Sequence, residues 1–563
     1  MRKLVVVAAA ATMLAGGLGA ALPSAAAATA HAQASGITWG SCSDTFLQQA
    51  GAQCAMLPVP LNYAHKNGPK IKVAVSIIRH TSSKADYKGI ILTNPGGPGG
   101  SGLNLNVFLI EVLQQEASQS SKTAAAADLA AVADYDWVGF DPRGVGSSVP
   151  ALTCQPDYFA GPRRKYDPTS ASLLTYWLHR TQSYAQSCQA HSAAQAALLD
   201  NMTTKDAASD MNSIRQALHQ SKMSYYGFSY GTYLGQVFAS MFPGRVNRLI
   251  MDSNVDPRNI WYKANLNQDV AFQRNIGIWF RWLAKFHGVY HLGSTEAAVR
   301  HRFNAEEAKL ATHPIDGVLG PDEWVDVFLE AGYFEQTWED LGQTLSDWAS
   351  THSAAAGDTL VNDYEGTDTI GDDNNFAVYN AVQCTDIQWP LSWAKWSRDN
   401  HRVAKVAPFE TWGNAWFNAP CLYWPAPAST PERISGSKIS SALLIDETLD
   451  AATPFEGSVE VRKLFPHSVL LAEPGGTTHA DSLFGDLCVD NTIARYLATG
   501  KLPKRSSNPS ARWDKTCKPL PVPNPASSSS SSVPNSARAG AASPGAAAGG
   551  YAGVLAHLRG LRP

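Results

Sequence analysis

The pentapeptide Gly227-Phe228-Ser229-Tyr230-Gly231 constrains this chain more than any other stretch, because of what flanks it. Met223 to Tyr226 is a short apolar run of the kind that forms a buried strand. Thr232 to Phe242 has helical apolar spacing and stops at Pro243. A strand that turns into a helix through one serine needs a tight corner, and only glycine neighbours leave room for it. Alone, G-x-S-x-G arises by accident in chains rich in Gly and Ser. Between a strand and a helix it predicts a serine presented at a sheet edge as a nucleophile.

The flanking sequence supports a mostly parallel sheet. Ile71 to Ile78 alternates and is β-branched, and Gly89 to Thr93, Tyr135 to Phe140 and Val246 to Met251 are further strand-like runs. Thr203 and Asp206 read as a capping box ahead of a helix reaching about 219, with Ala207, Met211, Ile214 and Leu218 on one face. Strand and helix therefore alternate. From 256 to 434 the pattern is helical with long loops, for example Ile276 to Phe286 and Trp324 to Ala331, and twelve of the sixteen Trp fall there. Strand-type runs return at Ser440 to Ile445 and Ser468 to Ala472, followed by a helix over Val489 to Ala498. The expected organisation is a first core part over 35–255, an inserted helical unit over 256–434 and a second core part over 435–517. Residues 518–563, rich in Pro, Ser, Ala and Gly, read as a disordered tail.

A serine hydroxyl needs a base, and the base needs a carboxylate, downstream in the order Ser, Asp, His. His479 fits: it follows the strand Ser468 to Ala472 through Pro474-Gly475-Gly476, so it lies at the strand's C-terminal edge. His467 precedes that strand and belongs at the opposite end. Asp450, in Asp450-Ala451-Ala452-Thr453-Pro454, is the expected acid, with Asp446 and Asp252 as rivals. Charge developing on a carbonyl oxygen needs waiting N–H donors. The glycine-dense Asn94 to Gly102 stretch follows the strand ending at Thr93 and lacks the Gly-Lys-Ser/Thr of a phosphate loop. The donors are assigned to the N–H groups of Gly97 and Tyr230. Asp141-Pro142-Arg143-Gly144 follows another strand, and Arg143 is expected to be buried and paired with Asp141, at even odds with a direct role.

Met1-Arg2-Lys3 and the apolar run Leu4 to Leu22 form a secretory leader, with small-residue cleavage sites around Ala25 to Ala28 and Ala32 to Ala34, so 1–34 is read as signal peptide and possible short pro-segment. No later stretch approaches a membrane span. In an oxidising compartment the eight cysteines should pair, and neighbours are expected to do so: 42 with 54, 154 with 188, 384 with 421, 488 with 517. No CxxC occurs, so no metal or other cofactor is expected. A formal net charge of -3 gives no sign of nucleic-acid binding.

With these residues identified, the chain resembles the secreted tripeptidyl aminopeptidases of actinobacteria, relatives of the proline iminopeptidases in the α/β-hydrolase superfamily. The resemblance is carried by Gln53-Cys54-Ala55, Val59 to Tyr63, Asn94 to Gly102, Asp141 to Gly146, Tyr225 to Gly235, Asp256-Pro257, Asp450 to Pro454 and the His479 region, and spans about 40 to 517. It implies an α/β-hydrolase fold with a mostly parallel central sheet and a helical cap, and an exopeptidase that releases short peptides from the N-termini of peptides or unfolded proteins. The cap would supply acids for the substrate ammonium, with Glu330, Glu335 and Asp386 as candidates. A monomer is expected. An esterase with the same triad, a single-residue aminopeptidase like the proline iminopeptidases, and a non-enzymatic binding module are the alternatives.

Overall fold

The computed structural model describes residues 37–119, 124–367 and 371–525. The expected leader, 1–34, and the tail from 526 onward lie outside the described residues. Ten strands form one sheet in the order β1-β2-β3-β5-β4-β6-β7-β8-β9-β10. They are β1 (Gly40–Ser41), β2 (Gln53–Pro60), β3 (Lys70–Ile78), β4 (Ile90–Asn94), β5 (Asp136–Phe140), β6 (Met223–Phe228), β7 (Val246–Asp252), β8 (Ala442–Glu447), β9 (Ser468–Glu473) and β10 (Lys515–Thr516). The β1–β2, β2–β3 and β3–β5 pairings are antiparallel. Every pairing from β5 across to β10 is parallel, as the alternating pattern predicts.

The parallel strands are covered on both faces, which is why they read as continuous apolar runs and not as alternating ones. Side-chain alternation sends Leu92, Tyr225, Met251 and Leu444 into one core and their neighbours Ile91, Tyr226, Ile250 and Ile445 into the other. The capping box at Thr203 and Asp206 is present and starts the helix Thr204–Ala217.

Between β7 and β8 the described chain is built of helices, from Tyr262–Lys285 to Thr411–Asn418. Part of this region has its own aromatic core, where Trp279, Trp282, Trp324 and Trp338 pack with Phe280, Phe303 and Phe328. Trp389, Trp396, Trp412 and Trp416 instead pack into the core that includes the sheet. Most of the tryptophans thus supply buried area.

The four neighbouring cysteine pairs are joined: Cys42–Cys54, Cys154–Cys188, Cys384–Cys421 and Cys488–Cys517. Residues 518–525, at the start of the expected tail, form no helix or strand, yet they pack on the helices. Trp282 Nε1 donates to the Pro523 carbonyl at 2.9 Å, and Leu520 packs on a cluster containing Phe272 and Tyr333. No helix among the described residues is long and apolar enough to cross a membrane.

Candidate active site

Ser229 stands at the corner between β6 and the helix Tyr230–Met241, with φ 55° and ψ −125°, a backbone state L residues rarely adopt. The corner is held by its neighbours. Ser229 N–H donates to the Asp252 carbonyl at 3.0 Å, and Tyr225 Oη donates to the Gly231 carbonyl at 2.8 Å. A Cβ on Gly227 would lie 2.5 Å from the Gly231 oxygen, and one on Gly231 would lie 2.7 Å from the Asn94 oxygen. Both glycines of the pentapeptide are therefore sterically required. Tyr230 is the first residue of the helix, so its N–H has no intrahelical acceptor and sits at the positive end of the helix dipole.

The glycine loop after β4 lies directly on this corner. Gly96 and Gly97 have φ of +105° and +104°, and a Cβ on Gly96 would be 2.6 Å from the Phe228 oxygen and 3.0 Å from the Tyr230 nitrogen. No other residue type allows this approach. Asp141 anchors the loop's far end, accepting from Ser101 Oγ at 2.6 Å, Gly102 N–H at 3.1 Å and Ser147 N–H at 2.8 Å.

His479 and Asp450 meet: Nδ1 lies 2.8 Å from Oδ2. The carboxylate is oriented further by Thr453, whose N–H donates to Oδ1 at 3.0 Å and whose hydroxyl donates to Oδ2 at 2.9 Å. Asp450 is fully buried and His479 nearly so. The histidine loop is pinned on both sides, His479 N–H to the Tyr333 carbonyl at 2.8 Å and Ala480 N–H to Ser253 Oγ at 2.8 Å. Asn275 Nδ2, on the helix Tyr262–Lys285, donates to the carbonyls of Leu449 at 3.0 Å, Gly332 at 3.1 Å and Thr477 at 3.3 Å. One amide thus ties together the two loops bearing Asp450 and His479.

The rivals lie elsewhere. Asp446 accepts from Ser458 Oγ, and His467 is exposed at the start of β9. Asp252 is buried at the end of β7, where Ser482 N–H donates to it at 2.9 Å, and burial pushes its carboxyl up to about 6. It supports the histidine loop from beneath without touching the imidazole nitrogen that Asp450 occupies.

Ser229, Tyr230, Gly97 and His479 line one cavity of about 330 Å³. Its other walls include Trp261, Tyr333, Phe334 and Tyr379 with the amides of Asn265 and Gln383. The three acids expected to meet a substrate amine are not on this wall. Asp386 is buried and accepts from Thr204 N–H and Oγ1, both at 2.6 Å, and from Trp261 Nε1 at 3.2 Å. Glu335 is buried and accepts from Thr477 Oγ1 at 2.7 Å, and Glu330 is buried in the helix Pro321–Tyr333. Packing of the helical region encloses all three. The acids that do line the cavity are Asp256 and Glu456, the first in the Asp256-Pro257 pair.

Arg143 also departs from expectation. It is buried, but its partner is Asp210, with Nε to Oδ2 and Nη2 to Oδ1 both at 2.8 Å. It donates further to the carbonyls of Asn201 at 2.7 Å and Leu61 at 3.0 Å. Asp141 is already committed to the glycine loop, so the guanidinium pairs with the helix Thr204–Ala217 instead.

A family model described as TAP-like protein matches residues 407–509. Over 509 residues the chain is 37% identical to the tripeptidyl aminopeptidase of Streptomyces lividans, a match covering 89% of this chain and 90% of that one. It is also 30% identical to carboxylesterase B of Mycobacterium tuberculosis and 28% identical to serine protease Hip1 of the same organism, each covering 83% of this chain and 89% of the relative. Sheet order, serine corner and sequence agree: the chain belongs to the tripeptidyl aminopeptidase family of α/β-hydrolases and is a hydrolase.

Proposed function

We propose that this is a secreted serine exopeptidase that releases short peptides, tripeptides foremost, from the free N-terminus of peptides and unfolded proteins, through an acyl-enzyme on Ser229. One observation carries this reading. His479, held by Asp450, lines the same cavity as a strained serine, in a chain 37% identical to a tripeptidyl aminopeptidase over most of its length.

His479 Nε2 takes the Ser229 proton as Oγ attacks the scissile carbonyl, and Asp450 holds Nδ1–H and stabilises the imidazolium that forms. The oxyanion is met by the N–H groups of Tyr230 and Gly97, donors fixed before the reaction begins. The imidazolium then protonates the leaving amine, and water admitted to the cavity repeats the sequence to free the peptide acid. The walls contributed by Trp261, Tyr333 and Phe334 limit the length of substrate on the acyl side.

The test is mass spectrometry of products from a mixed peptide library, with Ser229→Ala as control. Release of N-terminal tripeptides by the wild type alone supports the proposal; internal cuts, or no peptide products, reject it. The relative called carboxylesterase B favours a second reading, an esterase with the same triad. Fast turnover of short acyl esters beside negligible turnover of tripeptidyl amides would select it.

A further inference from the structure

Beneath the histidine loop lies a group of carboxylates that the proposed chemistry does not use. β8 and β9 end on Glu447 and Glu473, which are register partners in the parallel pair, and Asp481 descends on them from the loop two residues after His479. All three are buried, at 3%, 0% and 3% exposure, and their oxygens come within 4.8 Å of one another. Donors are scarce. Glu447 accepts from Thr478 N–H, and Asp481 Oδ1 accepts from Gln336 Nε2 at 3.3 Å. The second oxygen of Asp481 and both oxygens of Glu473 meet no N–H or hydroxyl donor, and Glu473 also faces the Asp486 carboxyl. Among the described residues, no Arg, Lys or His forms an ion pair with any of the three.

Buried carboxylates are kept by pairing with a cation or by holding protons. Glu473 favours the cation, because a wholly buried side chain whose oxygens meet only other carboxyls is a poor place for lone pairs and a good one for a positive ion. Oxygen-only ligands at such spacing suit a hard divalent cation, and the tolerant geometry of calcium suits them better than the strict octahedron of magnesium.

We propose that Glu447, Glu473 and Asp481 bind one calcium ion, which staples the His479 loop to the ends of β8 and β9. Such a site has no local spacing, since its ligands come from two strand ends and a loop, so a search for Cys and His clusters passes over it. The inference is independent of the substrate proposed above.

The test uses the full chain prepared in calcium buffer and desalted, its metal content measured by inductively coupled plasma mass spectrometry and its Tm compared in Ca²⁺, Mg²⁺ and EDTA. The expected result is about one calcium per chain and a Tm several degrees higher in Ca²⁺ than in EDTA, with Mg²⁺ failing to substitute. Glu473→Gln, or Asp481→Asn where that variant folds better, removes both the metal and the calcium-dependent rise. Absence of stoichiometric metal in the wild type, with the same Tm in Ca²⁺ and EDTA, overturns the proposal and means that shared protons hold the cluster. The wild-type measurement needs no variant to fold.

Discussion

Replacing Arg143 by Met should be among the costliest single changes in the chain while leaving the chemistry of folded molecules intact. The side chain makes two hydrogen bonds of 2.8 Å to Asp210, and the pair is 1% and 0% exposed. Truncation leaves Asp210 with Tyr63 Oη at 2.7 Å as its remaining side-chain donor from this group and strips donors from the Asn201 and Leu61 carbonyls. Breaking a buried pair in this way costs about 3–5 kcal/mol, because a charge is stranded out of water. Removing both charges strands nothing, so Arg143→Met with Asp210→Leu should recover most of that loss, a coupling of at least ~2 kcal/mol. Urea unfolding followed by fluorescence measures all three variants. A single-variant cost under about 1 kcal/mol, or a double variant as unstable as the sum of its parts, would refute this account of the pair.

Three further outcomes follow, two from the site and one from Asp269, a buried acid on the helix Tyr262–Lys285. Asp450→Asn keeps the shape but cannot stabilise the imidazolium, so kcat should fall by roughly 10³–10⁴ with little change in Tm; steady-state kinetics on a tripeptidyl amide checks this. Gly96→Ala places a methyl 2.6 Å from the Phe228 oxygen and pushes the glycine loop off the serine corner, so kcat should fall at least ~10²-fold with KM less affected. Asp269 is 1% exposed, and burial pushes its carboxyl from 3.8 up to about 7. The folded state therefore holds that proton more tightly, and the stability it contributes is complete below about pH 4 and lost as pH rises through 7. That gap is worth roughly 4 kcal/mol. Asp269→Asn should thus be more stable than the wild type at pH 8 and gain nothing at pH 4; parallel Tm-against-pH curves would contradict this.

The serine corner was legible because it is local: strand, turn and helix lie within twenty residues, and the glycines that permit the turn stand beside the serine. Asp450 and His479 could be placed because each follows a recognisable strand, which puts both at the same sheet edge. Arg143 was misread for the opposite reason. Sequence proximity favoured Asp141, but Asp141 turns its carboxylate to the glycine loop, and Asp210 is one unmarked position on a helix far along the chain. Glu330, Glu335 and Asp386 failed similarly, since helix packing that no local pattern announces turned them away from the cavity wall. β2 and the helix Ala171–Ala190 went unread, the first because Pro58 and Pro60 interrupt its pattern.

The central claim is that one hydroxyl among many is made reactive by one imidazole, and labelling with a fluorophosphonate probe tests it most directly. Peptide mapping should place the adduct on Ser229 alone, with Ser229→Ala unlabelled and His479→Ala labelled slower by orders of magnitude. An adduct that persists in Ser229→Ala, or wild-type labelling rates in His479→Ala, would contradict the account.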